Sequence, residues 1–324
     1  MRERAVRTAA AALAAAFAAG CATTSQDICQ KSFEDLCEFQ REGGPVELSA
    51  VSRIGDNRYY CVDDDGGMLH EVEIAFSQDG ENSSFVVLRS VHLDGRVDLE
   101  GCAYDPLTHW VWVSDEHDTS IRAYDPKSGA LLAKAAVPAV YREQTRGNRS
   151  LEGLAISPDG LRMYAVNEDT LKSDGEPATA DRGGIVRIQE FTRADAADLW
   201  RPSRQFMYAT DPVEGSDYKG KSVSGVSALC APDNGRLFVL EREMSRKNAL
   251  LPMLRGRIYE ISLAVGAESE KPVGKRLLWD ENTMFSNYEG LCRGPDLPDG
   301  SHTLVLVSDA GGGADANVLV LVGR

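Results

Sequence analysis

The 324-residue chain is short of basic side chains, with 35 Lys and Arg against 50 Asp and Glu and a formal charge of −15. Holding a phosphate backbone needs concentrated Lys and Arg, so nucleic acid is not an expected partner. Histidine is scarce, only His70, His92, His109, His117 and His302, and there is no His-Glu-x-x-His zinc motif. A Gly-x-Ser-x-Gly elbow and a dinucleotide fingerprint are also missing, which leaves an α/β-hydrolase-type serine esterase and dinucleotide enzymes without support. No Cys-x-x-Cys occurs, so neither a zinc knuckle nor a thioredoxin-like centre is signalled. The apolar run Ala9 to Ala19 is far below the ~20 residues that a membrane-spanning helix needs.

That run follows Arg2, Arg4 and Arg7 and has the size of a signal-peptide core. It ends in Ala18-Ala19-Gly20-Cys21, which resembles a bacterial lipobox. The resemblance implies a lipidated Cys21 and, with Ala22 following it, a place on the periplasmic face of the outer membrane. An ordinary secretory signal cut nearby is the other reading; both export the protein. The expected organisation is a signal peptide over 1–20, a tether over 21–44 and one folded domain over 45–324, with a monomer as the default. Six further cysteines permit disulfides in an exported chain. Cys29–Cys37 is the expected pair, while Cys61, Cys102, Cys230 and Cys292 sit in apolar strand patterns and read as small buried hydrophobes.

What is abundant is a repeat. Leu99-Glu100-Gly101-Cys102-Ala103 recurs as Leu151-Glu152-Gly153-Leu154-Ala155 and as Tyr288-Glu289-Gly290-Leu291-Cys292, with weaker copies at Leu48-Ser49-Ala50-Val51 and Val226-Ser227-Ala228-Leu229-Cys230. Each copy runs into a turn such as Ser157-Pro158-Asp159-Gly160, where Pro fixes φ and Gly accepts positive φ. After each turn comes a β-rich run ending in acid: Tyr59 to Asp65, Trp110 to Glu116, Met163 to Asp169, Leu237 to Glu243 and Thr303 to Asp309. Units of ~50 residues built from about four short strands predict an all-β propeller. Five blades are expected, with six as the alternative. The last unit shows too few strands, so residues 43–47 are expected to close the ring from the N-terminal side. A β-sandwich shares the turn spacing but does not repeat a Glu-Gly start.

In each unit the first strand starts at Glu-Gly and the second, antiparallel to it, ends at the acids. Glu100 is therefore expected beside Asp115 and Glu116, Glu152 beside Glu168 and Asp169, and Glu289 beside Asp309, all around one mouth of a central channel. Carboxylates so crowded repel and raise one another's pKa, and two counter-charges are available. Ca²⁺ prefers six to eight oxygen ligands, and the candidate donors are Asp64, Glu100, Asp115, Glu152, Glu168, Glu289 and Asp309. Arg149, Arg182 and Arg242 are the candidate anion-binding cations. Glu100, Asp115, Glu116, His117, Glu152 and Glu289 are the catalytic candidates. The competing structural reading is that each Glu-Gly acid caps amides or pairs with Arg to keep the blades in register. Asp118 and Asp174, outside the repeat, are the unrepeated acids of interest.

The strings Leu151-Glu-Gly-Leu-Ala-Ile-Ser-Pro-Asp-Gly160, Val113-Ser-Asp-Glu116, Leu240-Glu-Arg-Glu243, Arg257-Ile-Tyr-Glu-Ile261, Tyr288-Glu-Gly-Leu291 and Leu306-Val-Ser-Asp309 resemble, in matching order, the family of esterase-like activity of phytase. The resemblance implies a β-propeller and a relation to phosphoesterases or esterases. Three functions follow: a Ca²⁺-dependent phosphoesterase acting on a small phosphate or ester, a non-catalytic scaffold at the cell envelope, or a lactonase-like hydrolase with one central metal.

Overall fold

The structure, a computed structural model, describes residues 32–40, 47–63, 66–95, 98–215, 222–246, 252–264, 271–284, 286–309 and 317–323. Cys21, Cys29 and Asp64 lie outside them. Within the described residues, twenty strands form five four-stranded antiparallel sheets. The first sheet is β2 (Leu48–Gly55), β3 (Arg58–Asp63), β4 (Met68–Phe76) and β5 (Ser83–His92). The second is β6 (Leu99–Tyr104), β7 (Val111–Asp115), β8 (Ser120–Tyr124) and β9 (Leu131–Lys134). The third is β10 (Leu151–Ile156), β11 (Arg162–Asn167), β12 (Ile185–Thr192) and β13 (Arg201–Ala209). The fourth is β14 (Val223–Cys230), β15 (Arg236–Arg246), β16 (Pro252–Ser262) and β17 (Lys275–Met284). The fifth joins β18 (Asn287–Arg293), β19 (His302–Asp309) and β20 (Asn317–Gly323) to β1 (Phe33–Gln40). The inner strands touch in the cycle β2, β6, β10, β14, β18 and back to β2, which is a five-bladed propeller.

The blades form because the second strand of each blade is buried on both faces over most of its length; all five residues of β7 are buried. Five apolar clusters result, one between each pair of neighbouring blades. Cys61, Cys102, Cys230 and Cys292 are buried in or beside these layers, and no disulfide forms among the described cysteines. A short helix, α1 (Ala139–Gln144), joins the second and third blades and buries Tyr141 in their shared cluster.

The ring closes, as expected, by pairing an N-terminal strand with the C-terminal one. The closing strand is β1, which lies before the expected stretch 43–47 (residues 43–46 fall outside the described residues), and it pairs antiparallel with β20 from Phe33 opposite Gly323 to Gln40 opposite Asn317. Of the expected stretch, Glu47 makes a single bridge to Asp309. Residues 33–40 thus belong to the folded domain rather than to a tether. The pattern was hard to read because β1 is mixed, with Glu34 and Glu38 exposed and Phe33 buried. Phe33 packs edge-on against Phe238, at 6.2 Å between ring centres, and Asp35 accepts a 2.8 Å bond from the Trp279 indole.

The sequence motif marks where blades meet at the axis. A Cβ on Gly153 would lie 2.8 Å from the Leu229 amide and 2.9 Å from the Ala228 carbonyl carbon, and one on Gly290 would lie 2.9 Å from the Val51 amide. Both contacts are to the backbone of the next inner strand, so the glycine here serves close approach.

Phe33 anchors the strand that closes the ring. Phe33→Ala is expected to cost about 3 kcal/mol, read as a lower urea midpoint; an unchanged midpoint would show that β1 does not hold the closure.

Candidate active site at the acidic pole

Each inner strand carries a register shift at its motif: between Leu48 and Ala50, Leu99 and Gly101, Leu151 and Leu154, Val226 and Ala228, and Tyr288 and Gly290. The displaced residues are Ser49, Glu100, Glu152 with Gly153, Ser227 and Glu289. A bulge re-aims the side chain it displaces, so all five blades deliver their motif residue to one pole. The two serines act as latches. Ser49 Oγ donates to the Leu99 carbonyl of the second blade, and Ser227 Oγ to the Tyr288 carbonyl of the fifth at 3.4 Å.

The glutamates do something else. Glu116, Glu152 and Glu168 bring carboxylate oxygens within 4.8 Å of one another. Arg242 reaches across from β15, donating to Glu168 at 2.8 Å and to Glu289, and it also feels the charges of Glu152 and Glu100. These acids raise the Arg242 pKa against its own burial. Asn287 holds Glu289 at 2.7 Å, and Glu116 accepts the Ser150 amide at 2.9 Å, which ties the second blade to the third. One guanidinium does not neutralise this set. Burial, with the Glu168 charge behind it, pushes Glu116 up to about 7 and Glu152 well above the carboxylate range. Burial likewise pushes Glu289 to about 7, with Arg242 opposing the shift and Asp309 adding to it.

The sequence candidates therefore divide. Glu100, Glu152, Glu168, Glu289 and Arg242 come together, with Asp309 close enough to act on Glu289. Glu116 joins the cluster through its place after β7. Arg149 stands at the edge, 3.1 Å from Asp169 and 3.9 Å from Glu168, with a third of its side chain exposed. Asp115 turns into its own blade instead: it pairs with Arg122 at 2.5 Å and accepts the amides of Asp98 and His117. His117 is exposed beyond it, and Arg182 is exposed in a turn closed against Thr179. The unrepeated acids are ion-paired within their blades, Asp118 with Arg122 and Asp174 with Arg187, both at 2.5 Å. Sequence reading missed the bulges and the role of Arg122, whose spacing from Asp118 (i, i+4 on a hairpin) was the available signal.

Five antiparallel blades whose inner strands converge on an anionic pole define a five-bladed β-propeller with an axial acidic site. The chain belongs to the phytase-like family described as esterase-like activity of phytase, whose model matches residues 46–310, more than half of its length. No curated protein matches it. Among solved structures it is similar to the Kuenenia stuttgartiensis hydrazine synthase, with 15% identity, 81% of this chain and 56% of that chain covered, and a TM-score of 0.40. It is similar also to the tail fibre of Staphylococcus aureus phage P68 (12% identity, 92% and 54% covered, TM-score 0.46). A third is the PQQ-bound aldose sugar dehydrogenase of Streptomyces coelicolor (15% identity, 91% and 99% covered, TM-score 0.44). The chain spans just over half of the first two.

The acids set the pH dependence of stability. Glu116 and Glu289 have folded pKa values near 7 against an ordinary 4.5, so their contribution is whole below about 4.5 and is lost as pH rises through 7. Asp105 is buried yet lowered by Arg193, so its contribution disappears as pH falls below its ordinary 3.8. Stability is thus expected to peak near pH 5 and to fall between pH 5 and 8. Arg242→Gln is expected to cost about 3 kcal/mol at pH 8 and markedly less at pH 5. Denaturant unfolding at the two pH values checks this, and equal losses at both would rule out the charge role of Arg242.

Proposed function

We propose that the acidic pole is the site of a Ca²⁺-dependent phosphoesterase. The reading rests on the close approach of Glu116, Glu152 and Glu168, whose oxygens lie within 4.8 Å. Opposite ligands on one Ca²⁺ stand ~4.8 Å apart, and the ion takes hard oxygen donors of this kind. The acid surplus that lifts Glu116 and Glu152 supplies the charge that a divalent cation would relieve. The donor set therefore fits the ion, with Glu116, Glu152 and Glu168 as its holders. Bound Ca²⁺ supplies positive charge against a phosphoryl oxygen.

The chain's own residues do the rest. Arg149, exposed for a third of its side chain, presents a guanidinium to a second phosphoryl oxygen. Arg242 holds Glu168 and Glu289 in place. Glu289, near pKa 7, is poised to take or give a proton at neutral pH. We infer further that the protein is exported and anchored through Cys21 at the outer membrane, on the strength of its basic start, short apolar core and Ala-Ala-Gly-Cys ending. A scaffold reading is favoured by one observation, that Arg242 already satisfies Glu168 and Glu289 and locks three blades together.

Calorimetric titration is expected to show one Ca²⁺ per chain, with Glu152→Gln weakening it by about tenfold or more. Turnover of p-nitrophenyl phosphate or inositol hexakisphosphate is expected to vanish with chelator. Binding without any turnover across phosphomonoesters would leave the scaffold; no binding would remove the metal site. For the anchor, Cys21→Ser is expected to abolish labelling by a palmitate analogue in cells, and unchanged labelling would refute lipidation there.

A further inference from the structure

The opposite end of the axis has a different chemistry. Where the inner strands end and their turns begin, all five blades enclose a funnel of about 380 Å³, within the ~300–1,000 Å³ of small-molecule sites. Val51, Cys102, Leu154, Leu229 and Leu291 give it an apolar ring, one residue from each blade, two positions after the motif residue. Above that ring the lining holds two arginines, Arg53 and Arg293, on adjacent blades, and no carboxylate among the described residues. In a chain with 50 acids and a charge of −15 this is a cationic cavity.

The two arginines differ in how far they are committed. Arg293 is paired with Asp296 at 2.7 Å. Arg53 donates only to carbonyls, Asp56 at 3.0 Å and Gly294 at 3.4 Å, and has no carboxylate partner among the described residues. It is half-buried. A guanidinium so placed keeps donors for a charge-assisted bond. The funnel does not communicate freely with the acidic pole. Between them Ala50, Gly101, Gly153, Ala228 and Gly290 close the axis to about 10 Å³, roughly the room of a single water.

We propose that this funnel is a second ligand site, which takes a small organic anion with an apolar body, its charged head on Arg53 and its body against the Val51, Leu154, Leu229 and Leu291 ring. The site is independent of the acidic pole, because the narrowed axis separates them and their charges are opposite.

The probe is 1-anilinonaphthalene-8-sulfonate, an apolar ring system with one anionic group, beside its uncharged counterpart N-phenyl-1-naphthylamine. The full chain is expected to bind the sulfonate saturably at one per chain, more tightly than the neutral compound. Arg53→Gln is expected to weaken the sulfonate about tenfold and leave the neutral compound unchanged, while Arg53→Lys retains most of the affinity. Near-UV circular dichroism and an unchanged urea midpoint check that the variants are folded. If Arg53→Gln does not fold, displacement of the sulfonate from the natural chain by decanoate but not by decanol supports the site. No saturable binding, an equal loss of both probes in Arg53→Gln, or equal displacement by decanoate and decanol overturns it.

Discussion

The arrangement that the rest depends on is electrostatic. Inner strands that start at one pole bring their first residues together, and in three of five blades that residue is a glutamate. Left alone, these carboxylates would push the blades apart. Arg242 prevents this by bonding Glu168 of the third blade and Glu289 of the fifth from the fourth between them. The other two blades carry Ser49 and Ser227 at the same place, and their hydroxyls reach neighbouring carbonyls instead. Two hydroxyls among the five motif residues hold down the number of charges gathered at the pole.

The axis separates two environments. Small residues at one level let the backbones meet, which closes the channel and gives each pole its own dielectric and charge. At the acid end burial lifts carboxyl pKa values into the neutral range, where a proton or a cation binds with little penalty. At the far end apolar side chains and Arg53 make the reverse preference. Both environments come from the same strand, read a few residues apart.

Ion pairs also distribute stability away from the axis. Asp105 and Arg193, both buried, join the second blade to the third at 2.6 Å, with Arg193 stacked 4.3 Å above Trp200. Arg257 is almost wholly buried against Glu243 at 2.9 Å. Arg122 and Arg187 likewise commit Asp115, Asp118 and Asp174 to their own blades rather than to the pole.

The repeated Glu-Gly start, its turn and the acid-ended second strand were legible in the chain, because a propeller repeats one local solution and local chemistry dictates strand and turn. They pointed to five blades, with six left open, and to the pole at which Glu100, Glu152 and Glu289 gather. Tertiary structure alone decided the partners. Arg242 meets Glu168 and Glu289 from 74 and 47 residues away, Glu116 enters the cluster while its neighbour Asp115 faces Arg122, and β1 closes the ring across nearly the whole chain. Those choices depend on bulges that turn a side chain by a fraction of a strand and on which blade lies next in space, and neither is written in the spacing of residues along one strand.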